Sequence, residues 1–264
     1  KYQALVAKIS LDEAKEFGKF RDIIEKMYYP YNEKLDVFMQ QDGYMDKEQI
    51  LVKDIPASER PLNQKWSWDR ILRSCYIKQA DVLQGLYFFE DHYDIDTIRR
   101  NYYFYEPRTV HESSLSPCVH AVIAAKLGDE ARAYEFYLRT SRLDLDDYNN
   151  DTEDGCHITS MAGTWMAVVQ GFGGMRVKNG MLAFNPFLPA KWKSFSFNVG
   201  FRGTFIKVTV SDGSIRVDHL SGPTIKLLIK DRETEIKAGT GVAQKSIKVS
   251  LTPPPPLHGN LQIQ

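Results

Sequence analysis

The ten residues RTVHESSLSP, from Arg108 to Pro117, place two hydroxyls, an imidazole and a carboxylate directly before an apolar run. That run, CVHAVIAAKLG, has the spacing and composition of a buried helix. One serine is enough to cap such a helix, and Pro117 is suited to its first turn. Because a helix N-terminus also attracts anions, Ser113 and Ser114 are equally compatible with capping alone and with capping plus an anion site.

Two further segments combine polar or small residues with a predicted helix start. Lys78 and Gln79 open IKQADVLQGL, where an ammonium and an amide can donate to sugar hydroxyls or to an oxyanion. His157 lies in DGCHITSMAGTW, whose small and hydroxylated residues permit close backbone approach. The alternative interpretations are a solvated helix start for the first segment and a structural core histidine for the second.

A pair of catalytic carboxylates is not evident. Inverting glycoside chemistry needs a general acid and either a base or a nucleophilic anion on the opposite face of the sugar. Acidic residues are frequent, yet no spacing marks one of them as an acid of raised pKa. The sequence has no Walker loop and no GxGxxG, HExxH or GxSxG motif, which disfavours the chemistries that those motifs support.

Composition and charge exclude several kinds of partner. The 264 residues carry 34 basic and 34 acidic side chains, and a formal net charge of +0 provides no long-range attraction for nucleic acid or an anionic membrane. No apolar run approaches the ~20 residues of a membrane helix. Cys75, Cys118 and Cys156 lack CxxC spacing and fit reduced thiols in a cytoplasmic protein. We therefore expect no nucleic-acid or membrane partner, no metal and no cofactor.

The patterning of apolar residues changes near residue 174. Before it, they recur at helical spacing in segments with short links, which predicts a helical barrel or array over 1–173. After it, they alternate with polar residues, which predicts an antiparallel, sandwich-like β module over 174–240, with hairpin turns at Asn179-Gly180 and Asp212-Gly213. Residues 241–264, with four consecutive prolines, are expected to be a Pro-rich tail. The fold class is mainly α with a β module.

Several long segments, in order along the chain, resemble glycoside hydrolase family 65. They are KQADVLQGLYFFED, FYEPRTVHESSLSPCVHAVIAAKLGD, AYEFYLRTSRLDLDD, NDTEDGCHITSMAGTWMAVVQGFGGMRV and FNPFLPAKWKSFSFNVGFRG. The resemblance extends over roughly residues 1–235, and within the family it looks most like the maltose phosphorylases. It implies the later half of an (α/α)6 catalytic barrel followed by a small antiparallel β-sandwich, as the C-terminal portion of a longer enzyme.

The resemblance also implies where the site residues lie. The family's general acid is a Glu in a Gly-Pro-Asx-Glu-Tyr motif, but the one Gly-Pro of this sequence is Gly222-Pro223 in the β region. No catalytic residue is therefore expected in this chain, and the acid is expected upstream. By the same resemblance, the glucosyl unit is bound by Lys78 and Gln79, and phosphate is bound by Ser113, Ser114 and His157.

The implied reaction is phosphorolysis. Phosphate attacks the anomeric carbon of maltose or a related α-glucosyl disaccharide, and β-glucose 1-phosphate forms with inversion. Because phosphate is its own nucleophile, the protein supplies anion-binding donors instead of a second carboxylate. The alternatives are a family hydrolase of the trehalose or kojibiose type, and a non-catalytic truncated fragment. The expected partners are the disaccharide and inorganic phosphate as co-substrate. The resemblance implies a homodimer, and the cysteine usage predicts a cytoplasmic location.

Overall fold

The first part of the chain is helical. The computed structural model describes residues 11–211, 213–238 and 246–250. The helices are α1 Leu11–Lys26, α2 Leu62–Lys65, α3 Trp68–Arg73, α4 Asp81–Phe88, α5 Ile95–Tyr105, α6 Ser116–Leu127, α7 Glu130–Ser141, α8 Leu143–Asp146 and α9 Ile158–Met166. Short 3-10 helices lie at Tyr44–Asp46, Val52–Asp54, Ala57–Glu59, Glu90–His92, Glu106–Arg108 and Thr152–Asp154. Helix α9 continues directly as a π-helix over Ala167–Phe172.

The second part of the chain is a β module. A short hairpin, β1 Tyr31–Asn32 and β2 Val37–Phe38, lies within the helical part. The module comprises β3 Arg176–Lys178, β4 Met181–Phe184, β5 Ser194–Phe201, β6 Thr204–Ser211, β7 Ser214–Ser221, β8 Ile225–Ile229, β9 Arg232–Ile236 and β10 Ser246–Ser250. In the described ranges, it forms a four-stranded sheet of order β10-β7-β6-β5 and another of order β3-β4-β8-β9. Strands β4 and β8 are parallel and the other pairs antiparallel. Both sheets contribute to one hydrophobic core, as in a β-sandwich.

Local capping residues fix where several helices begin and end. Among the residues that the structure describes, three N-cap side chains accept a hydrogen bond from a backbone N–H of the first turn, and they are Ser67 of α3, Asp94 of α5 and Asp129 of α7. Such short polar side chains satisfy N–H groups that have no partner inside the helix. Gly128 ends α6 with a φ of 81°, a left-handed conformation that glycine adopts without steric cost. Helix boundaries here follow directly from residue type.

The central helix of the helical part is α6, since ten of its 12 residues are buried. Helix α9 packs beside it in a parallel orientation, because Gly163 faces Cys118 while the later Gly171 faces Val122. A Cβ at Gly163 would lie 2.8 Å from the Cβ of Cys118. Glycine is therefore what allows the two helices to approach this closely, and the approach brings their N-termini together.

The β module packs against the C-terminal end of α9. Arg176 of β3 donates to the Glu90 carboxylate at 2.7 Å and to the Gln170 carbonyl at 2.6 Å. The N–H of Phe187 donates to the carbonyl of Phe172 at 2.9 Å. Aromatic rings fill the space around this contact, namely Tyr137, Phe172, Phe187, Trp192 and Phe195. The π-helix after α9 is thus joined to the β module by hydrogen bonds and aromatic packing, whereas the ion pair joins β3 to the 3-10 helix Glu90–His92.

The predicted alternation of the β module is confirmed along β6. Ile206, Val208 and Val210 are buried in the sandwich, whereas Phe205 and Lys207 are exposed. Asn179 and Gly180 have φ values of 50° and 75°, as a two-residue hairpin turn with two left-handed positions requires. The predicted fold class, mainly α with a β module, is confirmed.

The expected tail over 241–264 contains a strand. Ser246–Ser250 form β10, which pairs antiparallel with β7. The short alternating stretch SIKVS indicates a strand, but the prolines that follow it dominate the composition of the segment. Residues 241–245 and 251–264 lie outside the described residues, as does Asp212 of the second predicted hairpin turn.

Cys75, Cys118 and Cys156 are free thiols, the first two buried and the third exposed. Across the ranges 11–211, 213–238 and 246–250, no helix has the length and apolar character needed to cross a membrane. The same described residues contain no group of three or more His, Cys, Asp or Glu side chains arranged to hold a metal ion.

The close approach of α6 and α9 gives a first prediction. We expect Gly163→Ala in the intact protein to lower the free energy of unfolding by about 1–3 kcal/mol, because the added methyl overlaps the Cys118 and Thr140 side chains. Gly85→Ala in α4 is the matched control, because nothing lies within 4 Å of the added Cβ. That control should be neutral or stabilising by up to about 1 kcal/mol. Thermal denaturation compares the two, and equal melting temperatures would contradict the packing argument.

Candidate functional site

The N-termini of α4, α6 and α9 lie on the same side of the helical part. The hydroxyls of Ser114, before α6, and Thr159, in the first turn of α9, are 2.7 Å apart and hydrogen-bonded. Ile77, before α4, forms an isolated parallel bridge with Thr109, and backbone hydrogen bonds of 2.9 and 3.0 Å flank it. The three segments that the sequence analysis selects are therefore neighbours in space.

The loop before α6 is held by buried polar contacts. Arg60 donates to the Val110 carbonyl at 3.0 Å, and Arg139 donates to the His111 carbonyl at 3.2 Å. The Glu112 carboxylate is buried, accepts from the N–H of Leu62 at 2.8 Å and lies 3.8 Å from Arg60 Nε. Two guanidinium groups and one carboxylate thus fix the backbone of the loop. Glu112, which carries no spacing of functional meaning in the sequence, is a structural anchor.

His111 is buried and occupies the left-handed region with a φ of 57°. Its Nδ1 is 3.0 Å from Ser116 Oγ, and its ring lies 4.4 Å from that of His120 between ring centroids. Burial, together with the nearby His120, Arg139 and Arg60, holds the pKa of His111 well below its usual value. His111 is therefore a neutral structural group, and the uncommon backbone conformation it adopts is stabilised by the contacts around it.

The two serines of the loop have different positions. The buried Ser113 accepts a hydrogen bond from the N–H of Leu115 at 3.2 Å and forms a turn before the helix. Ser114 is half-buried and reaches Thr159. Neither serine caps α6, because the N-cap residue is Leu115 and makes no side-chain capping bond. The expected cap is therefore wrong, whereas Pro117 in the first turn is confirmed.

The imidazole of His157 lies between two carboxylates. Its Nδ1 is 2.6 Å from Oδ1 of Asp144, and its backbone N–H donates to Oδ2 of Asp144 at 2.9 Å. Its Nε2 is 3.5 Å from Oδ2 of Asp151. The hydrogen bond with Asp144 raises the pKa of His157, and the charges of Asp151, Asp144 and Asp154 act in the same direction. The side chain is 22% exposed, so the imidazole is accessible from solvent.

Lys78 and Gln79 precede α4, which begins at Asp81, so the helix starts later than the sequence indicates. Lys78 is exposed and Gln79 is half-buried. Within the part of the chain that the structure describes, neither side chain is engaged in a hydrogen bond or an ion pair. Both polar ends are therefore available to a ligand, although the structure does not itself assign one.

Three residues that lie near His157 in the structure were not predicted as site residues from the sequence. Thr159 follows the predicted histidine by two positions, and its hydroxyl at a helix start is a signal that could have been used. Asp144 and Asp151 precede His157 by 13 and six positions. Their spacing along the sequence does not indicate that they contact His157, because the contact depends on the turn after α8, which reverses the direction of the chain. The site offers hydroxyl, imidazole and helix N–H groups, which suit an oxyanion.

The anchoring role of Glu112 can be tested by stability. We expect Glu112→Ala to lower the free energy of unfolding by about 2–4 kcal/mol, because it leaves the Leu62 N–H and Arg60 without their partner. Glu112→Gln keeps an acceptor and should lose less. The exposed Glu135, paired with Arg132, supplies the control Glu135→Gln, expected within about 0.5 kcal/mol of wild type. Urea denaturation measures all three, and a Glu112→Ala variant as stable as the control would contradict the assignment.

The buried histidines predict a stability loss in acid. Burial lowers the pKa of His120 to about 4, so between about pH 6.5 and pH 4 the unfolded chain binds a proton that the folded chain does not. The free energy of unfolding should therefore fall with decreasing pH in this window, by about 1.4 kcal/mol per pH unit for this group. His157, whose pKa is raised, contributes with the opposite sign. Urea denaturation from pH 7 to pH 5 should show a smaller slope for His120→Gln; an unchanged slope would refute the prediction.

Two family models and a solved structure match this chain. The model described as Glycosyl hydrolase family 65 central catalytic domain matches residues 3–166, and that described as Glycosyl hydrolase family 65, C-terminal domain matches residues 175–236. A solved structure of a candidate kojibiose phosphorylase from the human microbiome superposes with a TM-score of 0.80 at 35% identity. It covers 89% of this chain, which corresponds to 31% of that protein.

Curated relatives are phosphorylases of several disaccharides. The maltose phosphorylase of Bacillus subtilis (strain 168) is 52% identical over 212 residues, which are 80% of this chain and 28% of the relative. The alpha,alpha-trehalose phosphorylase of Thermoanaerobacter brockii is 38% identical over 239 residues, or 90% and 31% of the two chains. The kojibiose phosphorylase of Halothermothrix orenii is 35% identical over 237 residues, or 89% and 30%. The chain thus spans less than a third of the length of these relatives. Since the central-domain match alone extends over more than half of its residues, the chain belongs to glycosyl hydrolase family 65.

Proposed function

We propose that this chain is the C-terminal portion of an inverting disaccharide phosphorylase, which converts maltose and phosphate to β-glucose 1-phosphate and glucose. Ser113, Ser114 and His157 bind the phosphate, and Ser113 also forms the turn before α6. Lys78 and Gln79 bind the glucosyl unit. Inorganic phosphate is the co-substrate, and no cofactor is required. The general acid is a glutamate upstream of Lys1.

The observation that carries the proposal is the meeting of two helix N-termini at Ser114 and Thr159, beside His157. Hydroxyls 2.7 Å apart and an imidazole of raised pKa provide donors for a tetrahedral oxyanion. The N-terminal ends of the 12-residue α6 and of α9 add their dipoles. Such an arrangement supports binding a nucleophilic anion at the position where an inverting enzyme needs its nucleophile.

The carboxylates near His157 favour phosphorolysis over hydrolysis. A hydrolase needs a carboxylate that takes a proton from water. Both oxygens of Asp144 already accept hydrogen bonds from His157, so this carboxylate has little remaining basicity. Asp151 faces the other ring nitrogen at 3.5 Å. These carboxylates act on an imidazole rather than on water, which supports the phosphorylase over the trehalose- or kojibiose-hydrolysing alternative.

The choice of sugar rests on similarity. Identity to the Bacillus subtilis maltose phosphorylase is 52%, whereas identity to the trehalose and kojibiose phosphorylases above is 38% and 35%. This difference supports maltose as substrate. A homodimer remains a prediction from the family resemblance, and a cytoplasmic location remains a prediction from cysteine usage.

The activity is tested with the full-length protein, maltose and phosphate. We expect glucose release that requires phosphate and equals the β-glucose 1-phosphate formed, as followed by NMR of the anomeric proton. Trehalose and kojibiose serve as competing substrates and should react more slowly. The 30.3 kDa chain alone should show no turnover, because its general acid is absent. Glucose release at the same rate without phosphate would show a hydrolase and refute the proposal.

His157 supplies a residue-level test. We expect His157→Ala in the full-length enzyme to raise KM for phosphate about tenfold or more, because a charge-assisted hydrogen bond worth about 1.5–3 kcal/mol is lost. KM for maltose should change much less. Cys156→Ala is the matched control, since this neighbouring side chain is exposed and its thiol makes no hydrogen bond among the described residues. Equal effects on both Michaelis constants would remove His157 from the phosphate site.

A further inference from the structure

His157 touches two carboxylates through different ring nitrogens, and the two contacts differ in kind. Asp144 makes two hydrogen bonds with His157, with Oδ1 at 2.6 Å from Nδ1 and Oδ2 at 2.9 Å from the backbone nitrogen. Asp151 lies 3.5 Å from Nε2, which is an ion-pair distance without a hydrogen bond. One contact fixes the histidine, and the other leaves its outer nitrogen a donor without a hydrogen-bond acceptor among the residues described.

The two-point contact determines both the position and the tautomer of the ring. His157 is the N-cap residue of α9, with a φ of −84° and a ψ of 79°, and its side chain makes no capping bond to the helix. Without Asp144, no other described contact holds its Nδ1. While Nδ1 donates to Asp144, a proton on Nε2 as well requires the imidazolium, because the neutral ring carries only one N–H. An acceptor on Nδ1 that carries a negative charge favours the imidazolium, which donates from both nitrogens.

Charge around the ring opposes an anion. The charged groups that act on the imidazole are Asp144 of α8, together with Asp151 and Asp154 of the segment before α9. An incoming dianion must therefore enter against three carboxylates, and Asp151 is the one at the free nitrogen. A carboxylate oxygen at 3.5 Å from Nε2 lies close to any phosphate oxygen that accepts from this nitrogen, and the two negative groups repel each other.

From this geometry we infer that Asp144 is a positioning residue that holds His157 as a donor, whereas Asp151 is a resident counter-ion that the bound anion displaces from Nε2. The inference deepens the proposed function, and it rests on the assignment of His157 to the phosphate site. It gives the two carboxylates opposite effects on anion affinity, although both stabilise the same protonated ring.

The test uses sulfate, whose charge does not change between pH 5.5 and 8.5, as a competitive inhibitor of phosphate in the full-length enzyme and as a ligand in calorimetry. In the wild type, sulfate affinity should fall as the pH rises past the pKa of His157. In Asp144→Asn, that fall should shift to lower pH, and affinity at pH 7 should drop roughly tenfold, because an imidazole that is no longer held in place loses its charge-assisted hydrogen bond to the anion. In Asp151→Asn, affinity at pH 6 should rise about threefold or more, because one charge less opposes the anion.

Two controls separate positioning from general damage. Asp146→Asn changes another carboxylate of α8, which pairs with Arg142 and does not touch the imidazole, and its sulfate profile should equal that of the wild type. Asp144→Glu keeps the negative charge and should recover part of the sulfate affinity that Asp144→Asn loses. This variant also tests the role of Asp144 if Asp144→Asn folds poorly. Equal profiles for Asp144→Asn and Asp146→Asn, or a loss of affinity in Asp151→Asn, would overturn the inference while leaving the phosphate requirement of the wild type intact. A wild-type enzyme that binds no sulfate and needs no phosphate would instead overturn the proposed function and the inference with it.

Discussion

The close contact between α6 and α9 is the constraint on which the site depends. Gly163 allows the backbone of α9 to lie directly against Cys118, and any larger side chain would separate the helices. Because the helices are parallel, this contact also sets the distance between their first turns, where Ser114 meets Thr159. A hydroxyl pair of this kind tolerates little displacement, since hydrogen bonds weaken steeply beyond normal distances. Packing deep in the helices thus determines chemistry at their ends.

Behind this contact, a small set of buried charges keeps the loop before α6 in one conformation. Arg60 and Arg139 are both near Glu112, so the set already has an excess of positive charge. A further proton on His111 would add to that excess in a site with little solvent. The neutral imidazole is therefore part of the electrostatic balance of the loop. Hydrogen bonds from Arg60 and Arg139 fix the carbonyls of Val110 and His111 in this loop. Ser114 follows these anchored residues, and its hydroxyl contacts Thr159.

Much of the fold could be predicted from the sequence, and much of the site could not. Helical periodicity, hairpin dipeptides and alternation in β6 depend on neighbours along the chain, and they correctly indicate the architecture. The stripe of Phe17, Phe20 and Ile24 marks α1 as a helix, yet all three side chains are exposed, because periodicity does not say what covers a face. The relation between Asp144 and His157 depends on a turn that reverses the chain, and residue types alone do not encode it.

The same limit explains the wrong cap at α6. Ser113 and Ser114 both have the composition of a helix start, but the hydroxyl of Ser113 satisfies Leu115 N–H one turn too early. The choice between a turn and a cap is made by backbone angles that the anchored loop imposes. Sequence could identify the polar groups and their neighbourhood, and tertiary contacts decide which of them face outward.

The π-helix that follows α9 connects the candidate site to the β module. From Ile158 to Phe172, the continuous helical segment is a rod of about 20 Å. Its far end is clamped, because the Phe172 carbonyl accepts from Phe187 and a Cβ on Gly173 would meet the Phe197 ring at 3.0 Å. Because the far end of this helical segment is fixed, the sandwich sets the orientation of its N-terminal end, which begins beside His157. Residues of the β module that lie far from the candidate site thereby contribute to the placement of its side chains.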